Sequence, residues 1–251
     1  GGLHLKWNHF KNWTDLFHDA NVGRFWLVAL KYFVCTVGLE MVLGTLVALA
    51  LSELARGREV LTSVLLMPMF IAPAIVGLLG RFMVDPVLGL YSYVLRALHL
   101  YNGNMLGDPK TAFTGLVLMD VWEWTPLVTI IMLAGLLSVP VDIIEAAEID
   151  GAGYLARLRY IVLPYVARVM TVALLIRSMD AIRFFDSILV TTNGGPADTT
   201  KVVAIRLYET AFRFFRFGYA AAIGISMLAF SIVLANLFLA VMRKADAAAE
   251  A

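Results

Sequence analysis

Residues 145–164 read EAAEIDGAGYLARLRYIVLP, a polar and charged island with apolar segments of membrane-spanning length on either side. Those flanks decide the fold class. Of 251 residues, 61% are hydrophobic and 16% charged, where a soluble domain has about half and about a quarter. The excess lies in long blocks and not in alternating positions. A block of about 20 apolar residues crosses a bilayer's hydrocarbon as a helix, which satisfies its own backbone polar groups there. The sequence therefore predicts an all-α, polytopic transmembrane helix bundle, with the island as its main surface toward one aqueous compartment.

Toward the N-terminus, the span at residues 113–137 carries Asp120, Glu123 and Pro126 with Trp122 and Trp124. Asp120, Glu123 and Trp124 stand at i, i+3 and i+4 and share one helix face. Carboxylates that accept hydroxyl hydrogen bonds beside an indole suit a polar cavity for a sugar ring; interfacial tryptophans with charges reaching the headgroups give the same pattern. A polar connection over residues 85–110 precedes this span, with a short surface helix expected at 91–100. The span at 61–82 holds Pro68 and Pro73, which free backbone carbonyls and bend a helix. In the span at 26–51, Lys31 and Glu40 fall on opposite faces at about 100° per residue. Each is expected to meet a neighbouring helix or a cavity, because a lone charge in hydrocarbon is costly. Residues 1–25 carry Trp7, Phe10, Trp13 and Phe17 at helical spacing among Lys6, Lys11, Asp15 and Asp19, the pattern of an interfacial segment. The chain opens Gly-Gly without an initiator methionine, so its natural N-terminus is expected upstream.

Toward the C-terminus, a span at residues 165–190 carries Arg177, Asp180, Arg183 and Asp186, alternating in sign every third residue. Neighbours at that spacing can form a ladder of ion pairs. Arg177 and Asp180 lie roughly 20 to 24 Å along the helix from Pro164, inside the hydrocarbon, where charges either serve function or hold helices together. Thr191 to Pro196, TTNGGP, is a turn signal that ends the span. An amphipathic surface helix is expected near 201–217, with Ile205, Tyr208, Phe212 and Phe215 on one side. The last span, 218–242, has Ala220 and Gly224 at i, i+4 for close helix approach and is stopped by Arg243 and Lys244. The expected division is thus an interfacial segment 1–25, a transmembrane domain 26–244 with polar loops at 138–164 and 191–217, and a frayed tail at 245–251.

The formal net charge of +1 and the lack of a long basic run exclude a nucleic-acid partner. Cys35 is the only cysteine, and His4, His9, His18 and His99 have no ligand spacing, so no disulfide or metal site is expected. Residues 151–156, GAGYLA, fit a dinucleotide fingerprint by letter but follow a helical stretch and not a strand. No GxxxxGK[ST] sequence is present, so this chain has no phosphate loop of its own. A membrane enzyme would need a nucleophile and base, or a metal, and the sequence offers neither constellation.

Within the island, residues 141–150 favour helix, with Ile144, Ala147 and Ala146 as a narrow apolar side, and Gly151 and Gly153 interrupt it before residues 154–162 resume. Leu163-Pro164 is expected to turn the chain into the membrane. Glu145-Ala146-Ala147, Asp150-Gly151-Ala152 and Ile161-Val162-Leu163-Pro164 resemble the EAA loop of binding-protein-dependent ABC importer permeases. Thr192-Asn193-Gly194-Gly195-Pro196 with Thr199 and Thr200 is similar to the outer loop of their carbohydrate-uptake, maltose-permease-like branch. Leu158 stands where many members have an aromatic residue, and Ala167-Arg168 replaces a common basic-proline pair.

The resemblance implies one multi-pass subunit in the inner membrane of a prokaryote, with about five spans here and a first span of the family core missing. It would bind no cofactor itself. A second homologous permease would complete the pathway, two cytoplasmic ATPase subunits would hold ATP and Mg, and an external solute-binding protein would deliver a sugar-like substrate. Glu145, Ala146, Ala147, Asp150, Gly151, Ala152, Leu163 and Pro164 would couple to the ATPase. Asp120, Trp124, Arg177 and Asp180 are the candidates for the substrate pathway, and Asn193, Gly194, Gly195 and Pro196 for the binding-protein contact. The alternative is a self-contained secondary transporter or channel that uses the intramembrane charges as a proton relay. Charge counting does not orient the chain, since both sides collect lysine and arginine.

Overall fold

The computed structural model describes residues 9–249, with side chains through residue 240. Among these, every regular element is a helix. Helix α1 (Lys11–His18) buries Leu16 and leads into α2 (Ala20–Ser52), about 50 Å long at about 1.5 Å per residue. The first span thus begins inside the stretch read as interfacial; Lys6 and Trp7 lie outside the described residues. Helix α3 (Arg58–Leu66) passes through a 3₁₀ turn, Met67–Phe70, into α4 (Pro73–Met83), and the pair is bent by 95°. The two prolines account for the break. Pro68 opens the tighter turn, Ile71 is extended, and Pro73 takes the first position of α4, where its missing N–H costs nothing. Helix α5 (Leu90–Ala97) lies within the polar connection and buries Ser92, whose hydroxyl donates to the Val84 carbonyl at 2.8 Å.

Helix α6 (Ala112–Leu137) contains Pro126. It is followed by α7 (Val141–Ile149), α8 (Tyr154–Arg157), a π-helical turn at Leu158–Val162, and α9 (Leu163–Ala181). Leu163 and Pro164 do not turn the chain; they sit in the first turn of α9, where proline is tolerated, and the π turn absorbs the register change before them. Then come α10 (Asp186–Thr191), α11 (Val203–Tyr208) with a π turn at Glu209–Arg213, and α12 (Phe217–Ala249). Residues 245–249 are helical where a frayed tail was expected; residues 250 and 251 lie outside the described residues. Among the described residues, four helices are long and apolar enough to span a membrane, and the bent pair makes a fifth if it is one span.

Two expectations fail for physical reasons. The four-charge ladder is cut after Ala181, because the backbone leaves the helix to bury Ile182 and Phe184, so of its four members Arg177 and Asp180 pair along α9 among the described residues. The helix near 201–217 does not lie on one apolar side. Ile205 is fully buried, whereas Phe212 and Phe215 are 61% and 71% exposed, and Phe215 takes φ +55° beyond the helix end.

Contacts divide the chain into two compact units. One comprises the residues up to Tyr32, Gly77–Leu116 and Ile182–Leu234. In it Tyr32 stacks on Phe184 with centroids 5.0 Å apart and meets Phe113 edge-on, while the Lys31 ammonium sits 4.6 Å above the Phe113 ring. Tyr219 donates to Asp19 at 2.9 Å, and a Cβ on Gly224 would lie 3.3 Å from Leu207. The other unit comprises Phe33–Val76, Val117–Ala181 and the residues from Ala235. Its core packs Ala48 and Leu51 of α2 against Val128, Met132, Leu133 and Leu136 of α6 and Val166 of α9. Gly44 lets α2 approach α6 so closely that a Cβ there would lie 2.7 Å from Val128.

Candidate functional site

In the second unit, the loop over residues 138–164 is built from two short helices and a bend. Helix α7 ends at Ile149 and the chain reverses at Gly151, whose φ of +81° is the left-handed conformation that favours glycine. The N–H of Gly151 donates to Glu148 and that of Ala152 to Ala147, which satisfies carbonyls at the helix end. Across the bend, Arg157 of α8 forms an ion pair with Glu148 of α7. The expected coupling residues Glu145, Ala146, Asp150 and Gly151 are exposed, Ala147 and Ala152 are half-buried, and Leu163 and Pro164 belong to α9. Ile144 and Ala147 face inward as the pattern predicted, whereas Ala146 does not. Two features escaped the sequence reading: the Glu148–Arg157 brace, and the exposure of Ile149 (87%) and Leu155 (77%) around the bend. Large apolar side chains on a polar projection mark a surface that meets another body.

The same unit contains a buried ionic cluster. Arg177 of α9 donates through Nε to Glu40 Oε2 at 2.6 Å and through Nη2 to Glu40 Oε1 at 2.8 Å, a two-pronged pair with α2. Nη2 also donates to Asp120 Oδ2 of α6 at 3.2 Å, and Nη1 to Asp180 Oδ2 at 2.8 Å. The Arg177 guanidinium lies 5.0 Å from the Trp124 ring centre. Arg177, Glu40 and Asp120 are buried, and Asp180 is 45% exposed. Asp120 Oδ1 and Trp124 Nε1 are buried and have no hydrogen-bond partner among the described residues. The four residues chosen for a pathway are therefore brought together around Arg177, and a fifth, Glu40, joins them. Its mid-span position announced a partner but not which one.

In the first unit the TTNGGP stretch forms a compact turn. Asn193 (φ +50°) accepts from Arg213 Nη2 at 3.2 Å, and Gly194 (φ +85°) packs against the Lys201 side chain. Gly195-Pro196 is a cis peptide, and the Gly195 carbonyl accepts from Thr200 Oγ1 at 2.6 Å. Thr200 and Thr192 hydroxyls bond at 2.8 Å, and Lys201 pairs with Asp198 at 2.7 Å and Glu209 at 3.3 Å. No cluster among the described residues could hold a metal ion.

With this geometry in place, comparison with known proteins is informative. Residues 40–246 match the family described as binding-protein-dependent transport system inner membrane component. The chain is 38% identical to the trehalose/maltose transport system permease protein MalF of Thermococcus litoralis, over 84% of this chain and 71% of that one. It is 30% identical to the trehalose transport system permease protein SugA of Mycobacterium tuberculosis, over 89% and 72%. A chain in the crystal structure of a bacterial ABC transporter involved in import of the acidic polysaccharide alginate shares the fold, with TM-score 0.85 and 21% identity over 95% of this chain and 84% of that one.

Proposed function

Because the chain belongs to the family of inner membrane components of binding-protein-dependent transport systems, we propose that it is the permease subunit of an ATP-driven importer and forms half of the pathway for a sugar or sugar-like solute. The trehalose and maltose relatives support the sugar class. In this reading a second, related permease forms the other half, two cytoplasmic ATPase subunits bind ATP and Mg, and an external solute-binding protein delivers the cargo in the inner membrane of a prokaryote. A fold relative has been crystallised with its periplasmic protein bearing an alginate pentasaccharide, which supports the last partner.

The observation that carries the coupling step is the braced bend at Gly151. Two short helices joined by an ion pair move as one body, and Glu145, Ala146, Asp150, Ile149 and Leu155 present the surface that a partner would grip. Closure of the ATPase subunits displaces that body, and α9 continues from it into the membrane. The Arg177 cluster passes the displacement to α2 and α6. Asp120 Oδ1 and Trp124 Nε1 are the cluster atoms left for a solute hydroxyl. One candidate span, Tyr154–Thr191, separates the loop from the TTNGGP turn. With the loop in the cytoplasm, Asn193, Gly194, Gly195 and Pro196 face the binding protein outside.

The test is uptake of labelled trehalose and maltose by the reconstituted complex with its binding protein. Gly151→Pro forces φ to about −65° where +81° is needed, and should abolish ATP-driven uptake while leaving the membrane helices assembled. Uptake that ignores ATP and collapses with a proton gradient would overturn the proposal in favour of a secondary transporter.

A further inference from the structure

Residues of three segments in the first unit, at positions 81–86, 104–107 and 191–196, line a half-open recess of about 320 Å³, within the size range of small-ligand sites. Its wall includes Arg81, Asp85 and Asn104, and their internal bonding leaves particular atoms unused. Asp85 accepts from the N–H groups of Val87 and Leu88, both through Oδ1 at 2.9 Å, and among the described residues Oδ2 accepts nothing. Asn104 Oδ1 accepts from the Gly107 N–H at 2.9 Å, so its Nδ2 amide donates to nothing. Arg81 uses one N–H on the Val190 carbonyl, at 3.5 Å, and keeps the other donors of its fork. Thr191 and Thr192, by contrast, direct their hydroxyls to Ser187 and Thr200.

We propose that this recess is a transit subsite for a neutral saccharide beside the outer turn, a proposal that rests on the sugar-permease reading and adds a site to it. A sugar hydroxyl both donates and accepts, and the wall offers a free carboxylate oxygen beside a free amide N–H and a guanidinium. Arg81, in the last turn of α4, and Asp85, just beyond its end, carry opposite charges, so the wall favours neither an anion nor a cation. No aromatic residue lines the recess, so a sugar ring finds no stacking platform and is held by hydrogen bonds alone. Weak holding suits a position that a solute must enter and then leave.

Two near-isosteric swaps test it without opening the turns. Asp85→Asn keeps an oxygen for Val87 and Leu88 and converts the free acceptor into a donor. Asn104→Asp keeps the bond to Gly107 and converts the free donor into an acceptor. Saturation-transfer NMR on the complex in nanodiscs, without the binding protein and with trehalose and maltose as probes, should show an about two- to tenfold loss of saccharide affinity for each swap. The docking constant of the binding protein should stay unchanged. If a swapped chain fails to assemble with the ATPase subunits, Arg81→Gln, which caps no turn, replaces it and should show the same loss. Unaltered saccharide signals in the swapped complexes overturn the proposal. So does weaker docking of the binding protein with intact saccharide signals, which assigns the recess to a side chain of that partner. Wild-type uptake is measured alongside: without ATP-driven uptake both readings fall, whereas uptake with unaltered saccharide binding removes the subsite alone.

Discussion

Removing Arg177 should harm this protein more than removing any one of its carboxylate partners, and the geometry says by how much. In Arg177→Met, Glu40 and Asp120 remain buried with no positive charge between them, and four hydrogen bonds disappear. Breaking a buried pair and stranding its partners costs about 3–5 kcal/mol. At about 2–4 °C per kcal/mol for a chain of this size, melting should fall by on the order of 10 °C. Glu40→Gln is milder, because the guanidinium keeps Asp120 at 3.2 Å and Asp180 at 2.8 Å, and no charge is orphaned. Its loss should be about 1.5–3 kcal/mol, the worth of a hydrogen bond to a charged group. The triple change Arg177→Met, Glu40→Met, Asp120→Leu removes every buried charge of the trio and should recover most of the stability. The assay is equilibrium unfolding in mixed micelles, read by helix content, with thermal melts as a check. An Arg177→Met protein within about 1 kcal/mol of wild type, or a triple variant less stable than the single one, would refute the reasoning, since both results deny that stranded charge is the dominant cost.

Three further outcomes follow from particular contacts. Gly44→Ala places a Cβ 2.7 Å from both the Cβ and a Cγ of Val128, so Val128→Ala would leave the closest contact in place, and the change should destabilise by about 1–3 kcal/mol in the same unfolding assay. Gly151→Ala meets no atom within 4 Å and pays only for the left-handed backbone, about 1–2 kcal/mol, so it should lower transport far less than Gly151→Pro. The N–H groups of Leu88 and then Val87 hold the Asp85 carboxyl below its usual range. The stabilisation of that turn is therefore fully present above the ordinary carboxylate pKa of about 3.9 and is lost only as pH falls through the lower folded-state value. Amide exchange at Val87 and Leu88, corrected for intrinsic rate, should stay protected through pH 4 in the wild type and be unprotected at every pH in Asp85→Ala.

The spans were legible because hydrocarbon imposes a length and a composition, and helices answer both with local bonds only. Pro68 and Pro73 announced a bend for the same local reason, although its 95° arises at the two residues, Ile71 and Ala72, that separate the 3₁₀ turn from α4. The glycine bend at Gly151 and the exposed Glu145 and Asp150 were readable from one stretch. What sequence spacing could not give was pairing between distant segments. Glu40 and Arg177 are 137 positions apart, and nothing in either neighbourhood selects the other. Alternating charges in α9 looked like one ladder because periodicity assumes a continuous helix; the burial of Ile182 and Phe184 broke that assumption. The amphipathic reading of 201–217 failed similarly, since Ile205 is held by tertiary packing while Phe212 and Phe215 are not.

Why an ionic cluster should sit where apolar packing would be no less stable is answered by direction, not strength. A buried ion pair is weak evidence for stability, because desolvation offsets most of the attraction. A guanidinium gripping one carboxylate with two prongs, however, fixes both the rotation and the height of α9 against α2, which interdigitated aliphatic side chains specify only loosely. The third contact, to Asp120, fixes α6 in the same frame. These three helices also share the apolar core around Val128, Met132 and Val166, and α9 is continuous with the braced loop through the π turn before Leu163. A push on the loop therefore meets a unit whose helices cannot slip past one another by a turn. On the proposed importer reading, the stability surrendered to buried charge lets the unit move as a body, and the apolar triple variant, though stable, should hydrolyse ATP in its complex while transporting poorly.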